Sequence, residues 1–294
     1  NGKIDIACIH PGPISTLLAN SPWAGTIIDA RPLRRYIPVI RGTKTVARIR
    51  QAEYESGFIL HRSTSFKLAA MAAGIRYRVG LYGHPLDQLS LTETLKGDAG
   101  GDRRALWGHR PFIAAADAWI TAKHLALDDH TPTILPAPDM VAIVADFLAD
   151  LPRPITIVNL FAADPARRWS LDHACATLKK LAHHIGGSLI LNAGPDAAAY
   201  HAAMLVKWDG PAGHLIDSLQ HTPSMARDIA LYHAADGYLG VDSFTANLAF
   251  NCNLPATVLF AKACDSLRYK PAIFPVFPEA GKGLDSIAPD DIIS

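Results

Sequence analysis

The 294-residue chain has four cysteines, Cys8, Cys175, Cys252 and Cys264, scattered with no CxxC pair. That spacing excludes a disulfide framework and a zinc knuckle, so buried free thiols are expected. The histidines include no HExxH, and the neighbours His183 and His184 point apart on a helix, so no metal site is read from them. There is no apolar run long enough to span a bilayer and no signal peptide, which makes a cytoplasmic location the expectation. Net charge is only +1, too little for a global field that draws the chain to nucleic acid or an anionic membrane. An initial Met is also lacking: the chain opens Asn1-Gly2-Lys3 and runs at once into the apolar stretch 4–9, a strand already in mid-fold. A preceding segment is therefore expected.

What the chain does have is alternation, with a hydrophobic fraction of 49% that supplies ample core. Short apolar runs at 4–9, 26–29, 57–60 and 78–81 flank helix-period segments at 43–56 and 64–73, the pattern of βα units on a parallel sheet. His10-Pro11-Gly12-Pro13 reads as the turn closing the first strand, and the Gly- and charge-rich stretch 84–110 as an irregular loop. The segment 131–138, TPTILPAP, marks a linker. After a helix at 139–148, strands are expected at 155–160, 188–192, 214–216, 237–241 and 256–260. Helices are expected at 170–184, 197–206, 223–233 and 244–251. The chain thus reads as two consecutive α/β domains, residues 1–138 and 139–294. Neither carries the GxGxxG turn that lets a backbone approach a pyrophosphate, which sets aside a dinucleotide-dependent dehydrogenase. No D-x-D stands at a strand end, so cationic side chains and helix dipoles are expected to do the neutralising, with no metal.

Ligands of open α/β sheets bind outside the carboxyl ends of the strands, and two segments of the second half lie there. The loop Phe161-Ala162-Ala163-Asp164-Pro165-Ala166-Arg167-Arg168-Trp169-Ser170 places adjacent arginines where a diphosphate would take charge-assisted hydrogen bonds. A solvated loop with Ser170 as helix N-cap accounts for the same residues. Further on, Asp242, Ser243 and Thr245 crowd a helix N-terminus, where N–H groups and hydroxyls suit a phosphate and a carboxylate suits sugar hydroxyls. Ordinary capping by Asp242 or Ser243 explains these residues equally well. In the first half, Arg31, Arg34, Arg35, Arg41, Lys44, Arg48 and Arg50 stand in one stretch without an acid. That stretch is either a solvated face or a cradle for an anionic acceptor or lipid, which Arg62 and Lys67 would extend.

Together these segments resemble glycosyltransferase family 9, the bacterial ADP-heptose:lipopolysaccharide heptosyltransferases, and in particular the heptosyltransferase II pattern. The loop 161–170 is similar to the family's P-x-x-x-x-x-K/R-R/K-W block, and 235–249 to its A-D-x-x-x-G-x-D-S/T-G-x-x-H-L-A-A block. Phe58-Ile59-Leu60, Ser65-Phe66-Lys67 and Ala73-Gly74-Ile75-Arg76-Tyr77-Arg78-Val79-Gly80 resemble its apolar strand, S-F-K and A-G-I-x-x-R-x-G. Residues 4–23 resemble its second strand and following helix.

The resemblance implies a GT-B fold, two Rossmann-like domains facing a central cleft. Residues 1–138 would be the acceptor-binding domain, lacking its first strand and helix, and 139–294 the nucleotide-sugar-binding domain. The implied activity is inverting and metal-independent transfer of a heptose-like sugar from an ADP-sugar co-substrate to a lipopolysaccharide core-type acceptor. No cofactor is implied; the location would be cytoplasmic, with peripheral contact at the inner membrane and an anionic glycolipid as partner. Arg168, with Arg167, would stabilise the leaving diphosphate, and Asp242 would hold the transferred sugar. Ser243, Thr245 and Asn247 would complete the donor site, with Leu219 in the loop 218–223 bordering the adenine. Arg34, Arg35, Arg62 and Lys67 would meet the acceptor. The family's general base follows its first strand in a G-D block, which neither Asp5 nor Asp29 matches, so the base is expected in the preceding segment. Three departures fall on the donor pocket: Phe244 for Gly, Asn247 for His, and Phe260-Ala261-Lys262-Ala263-Cys264-Asp265 for F-G-P-T-D/E-P. They leave as the alternative a divergent or non-catalytic relative that binds a nucleotide or glycan, or uses a different nucleotide sugar.

Overall fold

A computed structural model describes residues 3–35, 40–61, 63–82, 84–95, 134–220, 223–261 and 272–293. The chain divides into two units, Asn1–Ser15 with Pro22–His130, and Thr16–Ser21 with Thr131–Ser294.

In the first unit β1 (Ile4–Cys8) pairs in parallel with β2 (Ala24–Asp29). Helix α1 (Pro11–Leu18) starts where the sequence led us to expect a turn. A proline at the first helical position loses no hydrogen bond and has φ preset for the helix, so His10-Pro11-Gly12-Pro13 opens a helix instead of closing a strand. Helix α2 (Thr43–Gln51) buries Val46 and Ile49. It ends short of the expected residue 56 because the chain turns at Glu53, which takes a φ of 51°, and Ser56 already belongs to β3 (Ser56–Ile59). Helix α3 (Thr64–Ala72) is capped by Ser63, whose hydroxyl accepts the Ser65 amide at 3.2 Å. Strand β4 (Tyr77–Leu81), helix α4 (Asp87–Ser90) and strand β5 (Glu93–Leu95) follow, the last two inside the stretch expected to be irregular. The rest of that stretch, 96–110, lies outside the described residues. Strands β3, β4 and β5 form a parallel sheet in that order. Ile28, Leu33, Val46, Ile49, Ile59 and Ile75 share one core.

The second unit begins with α5 (Pro138–Leu148), again with proline at its first turn. Then come β6 (Ile155–Asn159), α6 (Leu171–Ile185), β7 (Ser188–Leu191), α7 (Ala198–Lys207), β8 (Leu215–Asp217) and α8 (Met225–Ala234). The unit continues with β9 (Gly237–Val241), α9 (Phe244–Asn251), β10 (Ala256–Leu259), β11 (Ile273–Val276) and α10 (Asp290–Ile293). The sheet is parallel throughout, in the order β11-β10-β9-β6-β7-β8. Side chains alternate between its faces. Ile155, Ile157, Ile190 and Val258 enter one core with α5, α8 and α9; Val158, Leu189, Leu191, Leu239 and Leu259 enter the other with α6 and α7. Burial on both faces is why these strands read as unbroken apolar runs. Cys175 and Cys252 are buried free thiols in these cores, while Cys8 is half-buried and Cys264 lies outside the described residues.

Strands β7 and β8 are added on one side of β6, and β9, β10 and β11 on the other. The chain therefore reverses its direction of winding between β6 and β9. In open α/β sheets, ligands bind at such a reversal, outside the carboxyl ends of the strands.

Candidate functional site at the β6–β9 switch point

The carboxyl ends of β6 and β9 lie side by side, with Asn159 paired to Gly240. Both segments singled out in the second half leave from this point. In the β6 loop, Asp164 caps a short 3-10 turn, Pro165–Arg167, by accepting the Ala166 amide at 3.1 Å. That turn carries Arg167 to the start of α9. Its Nη1 donates to the Asp242 carbonyl at 3.0 Å and stands 3.8 Å from the Asp242 carboxylate. Its Nε lies 3.7 Å from the Asp164 carboxylate. Arg168 does something else. Its Nε donates to the Ala162 carbonyl and its Nη2 to Ala163 at 3.2 Å, with the guanidinium 4.3 Å above the Phe161 ring. Trp169, 1% exposed, anchors the loop by donating Nε1–H to the Leu284 carbonyl at 3.0 Å, and Tyr200 donates to the Trp169 carbonyl at 2.9 Å. The structure thus joins Arg167 to Asp242, whereas Arg168 holds its own loop in shape.

On the β9 side, Ser243 is the N-cap of α9 in extended conformation, and Thr245, two residues on, is buried. Asn247 is turned onto its own helix, its Nδ2 donating to the Ser243 carbonyl at 2.9 Å. Phe244 is 54% exposed at the helix start. Leu219 sits in the 3-10 turn after β8, half-buried, its amide bonded to the Asp217 carboxylate at 3.0 Å. Beside that turn, Asn192 Nδ2 donates to Ser218 Oγ at 3.0 Å and to Asp228 Oδ1 at 2.9 Å. Burial pushes the Asp228 carboxyl above its ordinary range, against the opposing pull of Asn192 and Arg227.

Two network residues, Asn159 and Asn192, escaped notice in the sequence. The signal was present: each is a polar residue closing a buried apolar strand, ITIVN and SLILN. A buried amide at such a place needs partners, which the neighbouring strand ends supply.

In the first unit a cleft of about 850 Å³ lies beyond the carboxyl ends of β1 and β2, lined by His10, Gly12, Arg31, Arg34, Arg35 and Arg41. Arg31 is held by Asp29, with Nη2 2.6 Å from Oδ2. Arg34 and Arg35 are exposed and carry no ion pair among the described residues. Lys67, expected at the acceptor, is instead wholly buried: its Nζ is 2.7 Å from Asp87 Oδ2, with both side chains 0% exposed. Helix α3 turns this position inward, which leaves no surface for an acceptor to meet. Arg62 lies outside the described residues. Asp5 accepts from the Tyr54 hydroxyl and from the Thr26 amide at 2.5 Å, so it is tied up within the sheet. Among the described residues no three His, Cys, Asp or Glu side chains group as metal ligands, and no helix is long and apolar enough to cross a membrane.

Neither a protein-family profile nor a curated protein matches the chain by sequence. Solved structures do match. E. coli ADP-heptose LPS heptosyltransferase II is similar with a TM-score of 0.74 at 19% identity, over 99% of this chain and 87% of that one. The fold is that of the heptosyltransferases. A glycosyl transferase family 9 structure from Veillonella parvula DSM 2008 gives 0.73 at 12% identity, covering 99% of this chain and 86% of its own. A second E. coli heptosyltransferase, solved with ADP, gives 0.67 at 12% identity over 99% and 88% of the two chains.

Proposed function

We propose that the chain is an inverting, metal-independent glycosyltransferase that takes a heptose-like sugar from an ADP-sugar and delivers it to an anionic acceptor of the lipopolysaccharide-core kind. The observation that carries this reading is the meeting of Arg167 and Asp242 at the switch point. A guanidinium there suits a diphosphate, and the carboxylate beside it accepts from sugar hydroxyls. As the bond from the anomeric carbon to the diphosphate breaks, negative charge grows on the leaving oxygen. Arg167 and the N–H groups opening α9 would neutralise it without a metal. The ADP in the solved relative supports a nucleotide of this class. Arg168 acts indirectly, by keeping the loop that presents Arg167. The exposed Arg34 and Arg35, with Arg41, would receive the acceptor's negative charges, and the same charges would favour peripheral contact with an anionic membrane.

The test is release of ADP from ADP-heptose in the presence of lipopolysaccharide core acceptor. Turnover is expected to survive EDTA and to fall strongly in Asp242→Ala. Loss of turnover on chelation would overturn metal independence, and an unimpaired Asp242→Ala variant the site assignment.

Phe244 favours a second reading, that of a relative that binds nucleotide without turnover, because it sets a large exposed ring at the helix start where the family resemblance has glycine. Saturable ADP binding with no transfer to any acceptor, and transfer recovered in Phe244→Gly, would select it.

A further inference from the structure

Arg167 stands between two carboxylates. Its Nε lies 3.7 Å from Asp164 Oδ2, and its Nη1 lies 3.8 Å from Asp242 Oδ2. The other oxygen of Asp164 accepts the Ala166 amide at 3.1 Å, the cap that opens the 3-10 turn. That bond fixes where the Asp164 charge sits beside the guanidinium. Arg168 brings no second cation to this point, because it is drawn back over the Phe161 ring. Two negative charges therefore face one positive charge where a diphosphate would bind.

Asn or Ser would cap the Ala166 amide equally well without a charge, so the cap alone does not call for a carboxylate. What the carboxylate adds is competition for Arg167 and repulsion of any anion bound to it. That repulsion differs between the two ends of the reaction. An intact nucleotide sugar is a diphosphate diester with two negative charges. On transfer, the bond from the anomeric carbon to the β-phosphate oxygen breaks, and its electron pair stays on that oxygen. The acceptor oxygen bonds the anomeric carbon in its place, and the acceptor's proton goes to solvent. At pH 8 the ADP left behind carries a third charge, since the second ionisation of a phosphate monoester lies near about 6. A phosphate against Arg167 comes within about 8 Å of the Asp164 carboxylate, where one added charge changes a binding constant about twofold in bulk water and more in a less polar site.

We propose that Asp164 is the element that releases ADP. Its carboxylate takes Arg167 back and disfavours the spent nucleotide against the intact sugar donor, by the one charge that separates them. This rests on the reading of the switch point as a nucleotide-sugar site. Asp164 acts through Arg167 and through its charge, as a positioning residue that touches no reacting atom. Asp242 also repels the added charge, but its carboxylate is the group assigned to the sugar hydroxyls. Asp164 is thus the charge that can be removed without touching the sugar.

Titration calorimetry at pH 8 with ADP and its β-fluoro analogue tests the proposal. In that analogue fluorine replaces one terminal oxygen and removes one charge. The ratio of the two affinities within one protein cancels any general loss of structure that a substitution brings. Asp164→Asn and Asp164→Ser keep an acceptor for the Ala166 amide. Each is expected to move the ratio towards ADP by about threefold or more at low salt, and by less as salt is added. Product inhibition of transfer by ADP should tighten in step. An unchanged ratio, or a shift towards the fluoro analogue, overturns the release role and leaves the donor site standing. If the native chain binds neither ligand, the nucleotide reading itself falls.

Discussion

Arg167 and Arg168 are neighbours in sequence with opposite fates in the fold. The sequence showed two arginines in a loop at a strand end but not which one reaches Asp242. That choice is made by the 3-10 turn after Asp164 and by the Phe161 ring, which draws Arg168 back. Arg168→Ala should therefore lower the thermal midpoint by more than Arg167→Ala, because it frees two carbonyls and a stacked ring. Arg167→Ala should leave the melt nearly unchanged. Differential scanning calorimetry of the two variants settles the order, and a larger shift for Arg167→Ala would contradict it. Lys67 was equally opaque: its partner Asp87 lies twenty residues on, and only the packing of α3 against α4 joins them. Breaking a buried pair leaves an uncompensated charge, so Lys67→Met should cost about 3–5 kcal/mol in urea unfolding, much of it recovered by adding Asp87→Leu. A loss below about 1 kcal/mol would mean that the pair is not buried in solution.

Elements were legible in proportion to how completely they are buried. Strands β6, β7, β9 and β10 were plain because both faces are covered and the runs are unbroken. Strand β11 was missed because Pro275 interrupts Ile273–Val276, a break that only an edge strand tolerates. Helix α1 was hidden by a Pro-Gly-Pro run that reads as a turn. The pairing of β6 with β9 depends on Gly240, where any side chain meets the Asn159 carbonyl. Gly240→Ala is expected to destabilise by about 1–3 kcal/mol, the usual cost of overpacking, and to weaken ADP binding as well. An ADP affinity unchanged in that variant would show that the close approach does not shape the site. In the other unit, β1 is tied down through Asp5, whose carboxyl is held below its ordinary 3.8 first by the Tyr54 hydroxyl and then by the Thr26 amide. A depressed folded pKa gives stability that is present above the unfolded value and lost as pH falls through the folded one. The stability gap between the native chain and Asp5→Asn should therefore close below pH 3.8, followed by circular dichroism at stepped pH. A constant gap would remove Asp5 from that role.

At the scale of the whole molecule, composition and alternation already implied two α/β units, and the heptosyltransferase fold agrees with the family blocks read from the residues. The strand order was out of reach, since each βα unit looks alike until the sheet is assembled. It is this order, reversing between β6 and β9, that brings two loops far apart in sequence together. In the first unit, the cluster of cations in one stretch was visible, but the cleft that gathers Arg34, Arg35 and Arg41 was not. Binding of an anionic glycolipid there should weaken steeply with added salt, because exposed charges are screened beyond about 8 Å at physiological ionic strength. The central claim is that the crevice between β6 and β9 holds a nucleotide diphosphate against Arg167. Titration of ADP into the native chain and into Arg167→Ala tests it most directly. The account predicts saturable binding to one site, weakened about tenfold or more in the variant. Absence of saturable binding, or equal affinity in both proteins, would contradict it.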